Sequence, residues 1–181
     1  MRKKSIGIGL IWGMLLIGHF QHALAQVGTD EIPFQLSVDV EPRENADEVN
    51  LILDLELREG DWVVSSMSTD SMFGKVQLRF SDPDAVALMG PMQESPDSQW
   101  EIERFSQLKV KVIHERTRMV QPIRFSAVLE PQEAIVGEVF FVVEPLCMPF
   151  ETTFALVPPS AEMTNWEVLP FGSRLAMPSG R

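Results

Sequence analysis

Val49-Asn50-Leu51-Ile52-Leu53-Asp54-Leu55-Glu56-Leu57 places an apolar side chain at every second position, with Asn50, Asp54 and Glu56 in between. Successive side chains of an extended chain point to opposite faces, so this spacing predicts a strand with one face on a core. The same period of two recurs at Phe34, Leu36, Val38 and Val40, and at Val76, Leu78 and Phe80. It returns at Leu108, Val110 and Val112, at Ile123, Phe125, Ala127 and Leu129, and at Phe154 and Leu156. Residues 139–143 are apolar on both faces, as a central strand covered on both sides would be.

Turn-forming clusters separate these runs: Glu41-Pro42-Arg43-Glu44-Asn45, Arg58-Glu59-Gly60-Asp61, Ser81-Asp82-Pro83-Asp84 and Glu130-Pro131-Gln132-Glu133. Seven or more short strands with such punctuation predict an all-β antiparallel sandwich. Residues 90–98 read as a long polar loop, and no sustained helical period occurs beyond the first 25 residues.

Those first residues read as a signal peptide. Arg2, Lys3 and Lys4 precede an apolar stretch from Ile6 to Gly18, and Ala23-Leu24-Ala25 offers a small-x-small cleavage site before Gln26. The stretch is shorter than the roughly 20 residues of a spanning helix, so no membrane span is expected in the mature chain. The expected organisation is a signal peptide over 1–25, a sandwich domain over 26–157 and a tail over 158–181 that lies along it through Trp166, Leu169 and Phe171. A periplasmic or secreted location follows, where disulfides can persist.

Cleavage after Ala25 removes three basic residues and no acid, moving the formal net charge from −11 to −14. That balance argues against nucleic acid, whose phosphates need a basic footprint.

Hydrolytic and metal chemistry have few residues to use. After Ala25 the sole histidine is His114, beside Glu115 and Arg116, and no Gly-x-Ser-x-Gly is present. One Cys and one His do not make a zinc ligand set, so no metal and no cofactor is expected. The methionines, among them Met67, Met72, Met89, Met92, Met119 and Met148, suit Cu(I) as soft ligands and equally suit a core as flexible filler.

There remains Cys147, the single cysteine, in Val139-Phe140-Phe141-Val142-Val143-Glu144-Pro145-Leu146-Cys147-Met148-Pro149-Phe150-Glu151-Thr152. The alternation breaks at Glu144-Pro145 and resumes after Pro149, which predicts a hairpin whose tip holds the thiol. Flanking prolines stiffen such a tip and remove backbone donors from it. An exposed cysteine there is available for exchange, and a buried one is inert; the residues alone leave both open.

This run, with Glu151-Thr152-Thr153-Phe154-Ala155-Leu156 after it, resembles the end of the N-terminal domain of the thiol:disulfide interchange protein DsbD family. Cys147 stands at that family's second cysteine, Pro149 at its first proline, Phe150 replaces the second proline, and Glu151-Thr152 matches. Leu53 to Val64, with Gly60 and Trp62, is similar to the family's strand, glycine and aromatic pattern. The first cysteine is absent; its place falls near Val142 or Glu144.

The resemblance implies an immunoglobulin-like sandwich in the periplasm that exchanges disulfides with exported or membrane-linked thioredoxin-fold or electron-transfer proteins. It makes Cys147 the redox candidate, with Glu144, Pro145, Met148, Pro149 and Phe150 as the partner-binding tip and Trp100 as the counterpart of a capping aromatic. A single thiol can form a mixed disulfide but cannot resolve it internally, so a complete oxidoreductase is not implied. A non-redox structural or interaction sandwich of the cell envelope, or a Cu(I)-handling module, are the alternatives.

Overall fold

The computed structural model describes residues 32–69, 74–103, 106–126, 134–159 and 165–175, so the expected signal peptide lies outside the described residues. Twelve strands occur among them: β1 (Phe34–Pro42), β2 (Glu48–Leu57), β3 (Trp62–Val64), β4 (Gln77–Phe80), β5 (Val86–Leu88), β6 (Gln93–Ser95), β7 (Gln99–Ile102), β8 (Lys109–His114), β9 (Arg116–Phe125), β10 (Ile135–Glu144), β11 (Met148–Val157) and β12 (Glu167–Leu175). No described residue is helical, and no helix there is long and apolar enough to cross a membrane.

Two antiparallel sheets form. One runs β1-β2-β9-β5, with β6 also on β9; the other runs β12-β11-β10-β3-β8-β7, with β4 also on β10. This is the all-β antiparallel sandwich expected from the alternation, of the immunoglobulin-like form that the resemblance implies. The inner faces meet where the period of two demands: Leu51, Leu53 and Leu55 of β2 are fully buried with Val139, Phe141 and Val143 of β10. Phe34 bridges the sheets, its ring edge-on to Phe141 at 4.8 Å and to Phe150 at 4.9 Å.

Several elements depart from the expectation. β9 begins at Arg116, and its early inner positions are Thr117, Met119 and Gln121, all buried. The polarity of Thr117 and Gln121 hides the strand from a hydrophobic count. Gln121 is satisfied by donating its Nε2 to the carbonyls of Gly90 and Pro122 at 3.2 and 2.9 Å. Ala127 and Leu129 lie outside the described residues.

The expected loop at 90–98 contains β6, which pairs with β9 and buries Glu94, with Met92 buried just ahead of it. Residues 167–175, inside the expected tail, form β12 along β11, with a register shift opposite Thr153 and Phe154. Trp166 stacks on Phe125 at 4.3 Å.

On the outer face of β2 and β9, cross-strand partners are oppositely charged. Arg118 donates to Asp54 from both Nε and Nη2 at 3.1 and 2.9 Å, and Arg124 donates to Glu48 in the same way. The Arg124 bonds, then Asn45, hold the Glu48 carboxyl below its ordinary range; Arg118 does the same for Asp54. A carboxyl lowered on folding stabilises the native state above its unfolded pKa and loses that effect as pH falls through the folded one. The urea midpoint should therefore drop as pH falls below about 4, and Glu48→Gln with Asp54→Asn should flatten that drop. Parallel pH curves for the two proteins would refute the assignment.

Candidate functional site

β10 and β11 form a hairpin whose last paired residues are Val143 and Met148. The turn between them carries Cys147 at φ 53°, in the left-handed region that side chains other than glycine seldom adopt. Glu144 and Cys147 thus face each other across the mouth of the turn. Cys147 is exposed, while Glu144 is only 6% exposed.

The thiol donates to Oε2 of Glu144 at 3.2 Å, and the carbonyl of Pro145 lies 3.9 Å from Sγ. A carboxylate accepting from S–H favours the protonated form, because the thiolate would face it as a like charge. The Cys147 pKa is accordingly raised, first by the Glu144 hydrogen bond, then by its charge, by burial and by the charge of Glu103. Access is therefore good, and the fraction of thiolate at neutral pH is low.

A groove of about 310 Å³ lies beside this tip. Its floor is the outer face of β3 and β8: Trp62 pairs with His114, and Val110 and Val112 follow on the same face. Glu101, Ile102 and Glu103 form a wall, with Gly60 and Pro145 at the rim. The alternation at Val110 and Val112 was expected to face the core, but Ile113 takes that side and these valines floor the groove. Both faces of β8 are covered, so two apolar sets coexist in one strand and period alone does not say which is inner.

The predicted tip residues separate on burial. Pro145 is exposed and lines the groove, Met148 is half-buried against the core, and Pro149 is half-buried opposite Val142. Phe150 corrects the expectation of a partner contact. It is 2% exposed and packs on Phe34 and Phe141, because its place on β11 turns it inward. It supports the hairpin from below.

Trp100 is exposed, with Lys109 Nζ 5.1 Å and Lys111 Nζ 5.6 Å from its ring centre. It pairs with Lys111 rather than with a groove valine, so it projects from the face of β7 opposite Glu101. The aromatic ring beside the tip is that of Trp62. Exposed Leu146 stands at the summit of the turn.

His114 Nε2 and Glu101 Oε1 are 2.8 Å apart, an ion pair when the ring is protonated. The acceptor beside the thiol is a carboxylate, so the imidazole needed for a thiol–histidine pair is committed elsewhere. Met92 and Met119 are buried in the core cluster, where a thioether acts as filler. Among the described residues no group of three His, Cys, Asp or Glu is placed to hold a metal.

Glu103, Trp62 and the two valines escaped sequence reasoning as site residues. Trp62 alone had a signal, in the Gly60-Asp61-Trp62 run.

No protein family and no curated protein matches the chain. Among solved structures it is similar to the N-terminal domain of DsbD from Neisseria meningitidis in the reduced form. That match has 13% identity and a TM-score of 0.46, covering 80% of this chain and 91% of that one.

Proposed function

We propose that the chain is an exported protein-binding module of the thiol:disulfide interchange type that keeps one thiol. Its contact region is the β10–β11 tip and the groove beside it, and its partner is an exported or membrane-linked thioredoxin-fold protein. The observation that supports this reading is the position of Cys147: an exposed sulfur in the turn of the β10–β11 hairpin, next to an apolar-floored groove.

The chemistry is limited and balanced. Cys147, once deprotonated, attacks one sulfur of a partner disulfide; that S–S bond breaks as a new one forms, and the partner's other sulfur leaves as a thiolate. The chain has no second cysteine, so release requires that partner thiolate to attack the mixed disulfide in return. No net electrons are transferred, and the result is covalent docking with slow exchange. Glu144 favours a second reading, an interaction sandwich without thiol chemistry, because it keeps the proton on Sγ.

A thiol probe applied to native and to denatured protein separates the two. Under the proposal Cys147 is modified in the native state, more slowly than when unfolded, and mixed disulfides with thioredoxin-fold proteins vanish in Cys147→Ser. A thiol untouched until denaturation, with no trapped partner, would leave the second reading.

A further inference from the structure

The groove is apolar below and acidic around its edge. Glu101 and Glu103 line it directly. Glu144, cross-strand partner of Trp62, chain neighbour of the lining residue Pro145 and acceptor of the Cys147 thiol, adjoins it. Among the described residues, Glu144 shares with Glu94, which accepts from the Ser65 and Ser66 hydroxyls, the condition of a buried carboxylate that meets no cation. Glu48 and Asp61, buried to the same degree, each meet an arginine. Among the described residues no lysine or arginine pairs with Glu144, whose hydrogen bond comes from a thiol. Burying a carboxylate without a cation is costly, and a cation brought by a ligand would offset that cost.

Resting on the binding-module reading above, we infer that the groove receives an extended cationic–apolar segment of the partner polypeptide. Its apolar side chains lie on Trp62, Ile102 and Pro145, the accessible apolar part of the lining, and a lysine or arginine reaches the carboxylates of Glu144, Glu103 and Glu101. Charge complementarity selects this occupant over an acidic segment: Glu101 and Glu103 line the groove and Glu144 adjoins it, against one histidine, His114, paired with Glu101, in a chain whose formal charge is −11. The same cation displaces the carboxylate from Sγ and places a positive charge beside it. The partner thereby makes Cys147 more reactive than it is in the free protein, and exchange becomes selective for segments that carry that cation.

Calorimetric titration of the full mature chain carrying Cys147→Ser tests the groove without thiol exchange. The probes are acetyl-Lys-Leu-Lys-Leu-Lys-amide and its glutamate counterpart, acetyl-Glu-Leu-Glu-Leu-Glu-amide. The lysine peptide should bind and the glutamate peptide should not, and added salt should weaken binding. Adding Glu144→Gln should reduce affinity at least about tenfold. Glu101→Gln, at an exposed site that tolerates substitution, should reduce it less. Glu44→Gln in the β1–β2 turn should leave it unchanged.

Equal binding of both peptides, no binding of the lysine peptide, or equal losses in the Glu44 and Glu144 variants would overturn the inference. Trapped partners without peptide binding would remove the groove occupant and keep the module. Peptide binding with an inert Cys147 would do the reverse.

Discussion

Gly137→Ala is expected to lower the stability of the sandwich by about 1–3 kcal/mol, as overpacking a dense core does. Gly137 lies in β10 directly between Phe80 of β4 and Phe154 of β11. A Cβ there would stand 2.2, 2.6 and 2.8 Å from Cζ, Cε2 and Cε1 of Phe154, far inside contact distance. The ring has little room to retreat: Phe154 is fully buried and meets Phe80 edge-on at 6.2 Å. The absence of a side chain at 137 is what lets two rings from opposite neighbours approach over the strand. Phe154→Ala should cost about 3–5 kcal/mol through the cavity it leaves. In the double variant the alanine methyl occupies part of that cavity and no longer meets a ring, so the combined loss should fall short of the sum by about 0.5 kcal/mol or more. Urea unfolding followed by circular dichroism measures all three; strict additivity would show that the two sites do not compete for one space.

Glu144→Gln in the otherwise native chain is expected to speed alkylation of Cys147 several-fold at neutral pH. The thiolate is the nucleophile, and Glu144 disfavours it both as hydrogen-bond acceptor and as a like charge. Glutamine keeps the shape and an acceptor oxygen while removing the charge. The pH–rate profile of the native protein should inflect above the ordinary thiol range, and that of the variant should move down. Glu103 still contributes, so a remnant of the upward shift should persist. An unchanged profile, or one displaced upward, would mean that something other than this carboxylate holds the proton. The variant also bears on function, because a faster thiol should trap partners more readily if the groove recognises more than the Glu144 charge.

Strands that bury one face were plain in the residues. β1 and β2 carry apolar side chains at alternate positions with nothing to confuse the period, and their inner faces are Phe34 to Val40 and Val49 to Leu57 as expected. β9 was half visible, since Thr117 and Gln121 occupy core-facing places that only long-range hydrogen bonds and packing make acceptable. β12 was hidden because Pro170 and Gly172 interrupt its pattern where it shifts register against β11. Short strands such as β6 take their identity from β9 rather than from their own three residues.

The site divides in the same way. Cys147, Pro145 and Glu144 are neighbours in the chain, so a hairpin period and two prolines sufficed to put them at one tip. Phe150, only three residues from Cys147, went inward because strand alternation outranks proximity in sequence.

Local order, read from the residues alone, determined that this chain makes strands, where most of them lie, and that its single thiol sits in a turn. Tertiary structure decided the rest: that Glu144 accepts a hydrogen bond from that thiol, that Val110 and Val112 lie on the groove side of β8, and that Glu101 of β7 and Glu103 just after it form the groove's wall. The reason is range. Side-chain alternation is a property of a few consecutive residues, whereas burial, charge proximity and the shape of a groove arise only when segments dozens of residues apart are brought side by side.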